Sequence, residues 1–93
     1  MKRPEASDAN ITKAIALGVK AYKDELRDYP NGKGRGIFAS KHEISGVLNE
    51  EFDEFTSSVH ENHGQEQLKA ELLDIIVAAM HGVASIESGE MDW

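Results

Sequence analysis

Two pairs of carboxylates carry the chemistry this chain could perform: Glu51-x-x-Glu54 and Glu71-x-x-Asp74, separated by the sixteen residues 55–70. An interval of three puts both members of a pair on one face of a helix, one turn apart. At about 100° per residue, Ile44, Leu48, Phe52, Phe55 and Val59 fall within an arc of about 80°, the expected buried stripe. Glu51 lies only about 20° outside that arc, and Glu54 flanks it. Glu50 and Asp53 fall on the opposite side. A carboxylate beside a core stripe is costly to desolvate unless a cation meets it. Four such groups on facing antiparallel helices form an oxygen-only ligand set, which suits Mg²⁺ or Mn²⁺. In a chain with 17 acidic residues either pair alone reads equally well as a solvated face. Two pairs, each adjoining the apolar stripe of its own helix, raise the weight of the metal reading.

The elements that must position these acids are three helices, expected over 8–29, 40–59 and 66–86, with a tail over 87–93. Ser7 or Asp8 can cap the first, whose apolar residues Ile11, Ile15, Val19, Tyr22 and Leu26 recur at helical spacing, and Pro30-Asn31-Gly32 stops it. Ser40-Lys41-His42-Glu43 is a capping-box pattern that opens the second. The third is apolar around most of its circumference. Its remaining strip of Glu71, Asp74, Ala78, Gly82 and Ser85 predicts a cleft with charge at one end and room beside it. No segment alternates with a period of two over a strand's length, so the expectation is one all-α domain spanning residues 1–93.

Cationic and imidazole side chains complete the candidate site. Lys33 and Arg35, in the glycine-rich stretch 31–36, are candidates to neutralise phosphates, although such loops are ordinarily only connectors. Lys41, in the first turn of the second helix, has a similar claim. His81 lies about 20° from Asp74 around the third helix and two turns on, within reach of a base or phosphate; a polar tip at the bundle edge is the plainer account. His42 sits at a helix start, and His60 and His63 lack a third metal ligand.

Composition narrows the partners. Ten Lys and Arg against 17 Asp and Glu give a net charge of −7, the wrong sign for gripping a nucleic-acid polymer. With no cysteine, thiolate metal sites and thiol nucleophiles are excluded. No apolar run approaches the ~20 residues of a membrane span, and no secretion signal is legible, so a cytoplasmic protein without membrane contact is expected.

The run Ser40-Lys41-His42-Glu43-Ile44-Ser45-Gly46-Val47-Leu48-Asn49-Glu50-Glu51-Phe52-Asp53-Glu54-Phe55, followed by Glu71-Leu72-Leu73-Asp74-Ile75-Ile76, resembles the MazG-like nucleotide pyrophosphohydrolases. This all-α superfamily, whose hallmark is E-x-x-E followed at an interval by E-x-x-D, also includes dimeric dUTPases and dCTP pyrophosphatases. The resemblance covers residues 37–86 and is of the small bacterial and phage type. It implies that Glu51, Glu54, Glu71 and Asp74 are the catalytic metal ligands. It implies also that the chain converts a nucleoside triphosphate and water into a nucleoside monophosphate and pyrophosphate, a nucleotide-pool house-cleaning reaction, with Mg²⁺ or Mn²⁺ as cofactor.

A third helix apolar nearly all round cannot be covered in so small a monomer. A homodimer or higher homo-oligomer is therefore expected, helices 2 and 3 of two chains making a four-helix core, which is also the family's habit. The alternative is a non-catalytic dimeric interaction module whose acids are solvated or face a basic partner. Such a module would be indifferent to divalent metal.

Overall fold

The computed structural model describes residues 2–27 and 35–93. It contains α1 (Asp8–Arg27), α2 (Lys41–His60) and α3 (Gln65–Glu87), with no strand among the described residues. The predicted end of the first helix at Pro30-Asn31-Gly32, and Lys33, lie outside the described residues.

The helix starts follow local chemistry. Ser7 Oγ accepts the Asn10 amide at 3.1 Å while the Asn10 side chain accepts the Ser7 amide at 3.1 Å, a reciprocal cap built with Asn in the place usually held by Glu. At α2 the Ser40 hydroxyl accepts the Glu43 amide at 3.4 Å, and the Glu43 carboxylate reaches back one residue beyond the cap to the Ala39 amide at 2.7 Å. The second helix ends in a Schellman turn. Asn62, at φ 60°, passes its amide to Val59 O, and His63 passes its amide to Ser58 O.

Among the described residues, α1 and α2 each pack on α3, which is the central element. Two glycines set the approach. A Cβ on Gly82 of α3 would stand 3.3 Å from Ile44 Cγ2 of α2, and one on Gly18 of α1 would stand 3.3 Å from Ile76 Cγ2 of α3. Glycine costs a helix interior about 1 kcal/mol relative to alanine, a cost that the close packing offsets.

The interior differs from the one expected. The small-residue strip on α3 is open at Ala78, which with Asp74 lines a pocket, and packed further on, where Gly82 and Ser85 are buried. Small side chains let Ile44 and the segment before α2 come close, so the room predicted beside Gly82 and Ser85 is filled by Ile44 and Phe38. Ser85, fully buried, accepts the Phe38 amide at 3.0 Å and donates to His81 O at 2.7 Å. Of the stripe predicted on α2, Ile44, Leu48 and Phe55 are half-buried, whereas Phe52 (59% exposed) and Val59 face outward. Ile11, Ile15 and Val19 of α1 and Leu72, Ile76, Val83 and Ile86 of α3 are also exposed.

After α3 the chain reverses at Gly89 (φ 70°) and returns along the segment that precedes α2. The Asp92 amide bonds Ala39 O at 3.0 Å, and the Lys41 ammonium sits 5.5 Å from the Trp93 ring centre.

Candidate metal centre

Antiparallel packing of α2 on α3 puts Ile44 against Gly82 at one end and Ser58 against Glu71 at the other. Between these contacts the four acids singled out by their spacing converge. One carboxylate oxygen from each of Glu51, Glu54, Glu71 and Asp74 lies within 4.8 Å of the others. Glu51 and Glu71 are half-buried, Glu54 and Asp74 exposed, and Glu51 Oε2 is shielded from solvent.

The donor set is hard, anionic and oxygen-only, which matches Mg²⁺ or Mn²⁺ and disfavours softer metals. Opposed oxygens around one Mg²⁺ stand about 4.2 Å apart, twice the usual bond length. A spread of up to 4.8 Å therefore needs only a small inward turn of the side chains to close on an ion.

Glu71 is held closely from its own helix and touched from α2 at the limit of hydrogen-bond distance. Its Oε1 accepts from Gln67 Nε2 at 2.7 Å, one turn earlier on α3, and from Ser58 Oγ at 3.5 Å on α2. Neither donor was anticipated, though both left signals in the sequence. Gln67 precedes Glu71 by four residues, and Ser58 follows Glu54 by four, on the same strip of α2 as Glu51.

A pocket of about 110 Å³ opens beside the acids, with Glu25, Glu51 and Asp74 as its charged lining and Tyr22, Leu26, Phe38 and His81 among its other walls. His81 Nε2 donates to Gly36 O at 2.7 Å, so in the neutral ring Nδ1 accepts the Tyr22 hydroxyl at 2.9 Å. The rings of Tyr22 and Phe38 meet His81 edge to face, with centroids 5.8 and 5.0 Å away. Burial raises the Tyr22 phenol above its ordinary value, and the positive charge of Arg35 opposes that shift.

The other predicted contacts are distributed unevenly. Arg35 is exposed and acts on Tyr22 through its charge. Lys41 is engaged with Trp93, about three helical turns from Glu51. His81 lines the pocket, buried, with both ring nitrogens bonded to protein groups, so it offers its ring rather than a free polar edge. His63 bonds Ser58 and Glu61, and His42 and His60 are exposed. Comparison of the chain with protein-family models, with curated proteins and with solved structures returned no match.

Proposed function

We propose that this chain is a Mg²⁺- or Mn²⁺-dependent nucleoside triphosphate pyrophosphohydrolase that releases a nucleoside monophosphate and pyrophosphate. The observation carrying this reading is the convergence of four carboxylates from two antiparallel helices within 4.8 Å, beside an aromatic-walled pocket. Glu51, Glu54, Glu71 and Asp74 would hold the metal. When bound, it would neutralise phosphate oxygens and lower the pKa of the attacking water. The chain's own residues supply the rest. Gln67 orients the Glu71 carboxylate. Tyr22, Leu26 and Phe38 would give a base an apolar and aromatic surface. Arg35, whose charge reaches Tyr22 at the pocket wall, would bring positive charge toward the triphosphate. A homodimer accords with this reading, because the apolar residues left exposed on all three helices need cover.

The same exposed faces favour a second reading, a dimeric helical interaction module without catalysis. A pyrophosphate-release screen over the ribo- and deoxyribonucleoside triphosphates with Mg²⁺ or Mn²⁺ separates the two. The enzyme releases pyrophosphate only with metal and takes up Mn²⁺ with measurable heat and a raised melting temperature. No release, no heat and an unchanged melting curve would leave the interaction module.

A further inference from the structure

We propose that a second copy of this chain docks antiparallel along the outer face of α3, with Leu72, Ile76, Ala79, Val83 and Ile86 as the seam. The inference rests on the homodimer invoked above and is independent of the metal and of the reaction.

These five residues follow one another at intervals of four, three, four and three. Around α3 they fall within an arc of about 80°, on the side of the helix roughly opposite Asp74 and Ala78, which line the pocket. Alternation of three and four is the heptad spacing of a helix that packs against another helix along its length. α1 and α2 leave that side open, since all five residues stay exposed, Val83 to 60%. Beside the seam, an apolar groove between α1 and α3, with Ile15, Gly18, Ile76 and Met80 in its lining, offers room for a side chain of the second copy.

Charge selects the occupant and its direction. A net charge of −7 makes most of the surface repel a second copy. The seam escapes this: the acids of α3 between residues 70 and 86 are Glu71 and Asp74, and both belong to the carboxylate cluster. Its two ends carry opposite signs. Lys69 precedes Leu72 by three residues, and Glu87 lies eighteen residues beyond Lys69, five full turns and so on the same flank. Both are exposed. Laid parallel, two copies would set Lys69 on Lys69 and Glu87 on Glu87. Laid antiparallel, with Ile76 of one copy against Ala79 of the other, Leu72 meets Val83, and Lys69 meets Ile86 with Glu87 beside it. Opposite charges then face each other at both ends, and the small Ala79 near the middle lets the helices approach. Such a face is self-complementary, as a twofold dimer requires. The pocket and the four acids remain on the far side, so each site is built from one chain.

The test is sedimentation equilibrium of the full chain as wild type and Val83→Glu, with the circular dichroism of each. Oxidative cross-linking of mixed Lys69→Cys and Glu87→Cys chains reads the direction, since the natural chain has no cysteine to interfere. The wild type should be a dimer at micromolar concentration. Val83→Glu, whose charge is exposed in one chain and buried in the seam, should keep its helical signal and associate about a hundredfold more weakly or worse. The disulfide joining 69 to 87 should outweigh both like-with-like products. A dimer unaffected by Val83→Glu, or a predominance of like-with-like disulfides, would overturn the proposal; if Val83→Glu loses its helices, the cross-linking decides alone. A monomeric wild type would overturn the homodimer itself, an outcome distinct from a dimer formed through another face.

Discussion

Glu51 and Asp53 stand two residues apart on α2 in opposite electrostatic settings. Glu51 shares a small volume with three other carboxylates, whereas Asp53 is exposed on the far side of the helix. Glu51→Gln should abolish both metal-dependent pyrophosphate release and the rise in melting temperature on adding Mn²⁺. Asp53→Asn should leave both nearly unchanged. Equal losses of activity in the two variants would refute the assignment of the inner face. Tyr22 provides a pH test. Its phenol is raised by burial, so above about pH 10 the unfolded chain gives up this proton more readily than the folded one. Its contribution is complete below that pH and is lost as pH climbs through the folded value. Melting curves between pH 9 and 11 should therefore fall less steeply for Tyr22→Phe than for wild type, from a lower start because the bond to His81 is gone.

At the scale of elements, the turn between α2 and α3 depends on one residue. Asn62 occupies the left-handed region, which Asn and Gly tolerate and alanine adopts at a cost of about 1 kcal/mol. Asn62→Gly should be close to neutral in denaturant unfolding, and Asn62→Ala should lower the midpoint. The helices themselves were legible because their signals are local: Ser7 and Ser40 with their caps, and apolar residues at helical spacing. The four acids were legible for the same reason, since three-residue spacing and an apolar neighbour fix a helical face without knowledge of the fold. What escaped prediction was non-local. Burial of His81 and Ser85 depends on residues 35–40 crossing α3, and neither Gly36 nor Phe38 announces that path in sequence. Exposure of Phe52 and Val59 depends on how many helices one chain can supply. Periodicity identifies an apolar face without identifying what covers it.

For the whole molecule, association is the open physical question, and Phe52 permits a clean test of it. Because this ring is 59% exposed in the single chain, Phe52→Glu places its charge in water and should leave the helical circular dichroism of the chain unchanged. If two copies cover that face, the same substitution buries a charge in the seam and should shift light scattering from dimer to monomer. A wild-type chain that scatters as a monomer at micromolar concentration would refute the dimer. The return of residues 90–93 across the start of α2 has a spectroscopic consequence. Trp93 is the sole tryptophan of the sequence, and it rests against Lys41 on the segment whose Phe38 forms a wall of the pocket. Its indole emission is therefore a built-in, label-free gauge of the tail's contact with the start of α2, sensitive to solvent and to the neighbouring ammonium, and readable on the millisecond timescale of stopped-flow mixing.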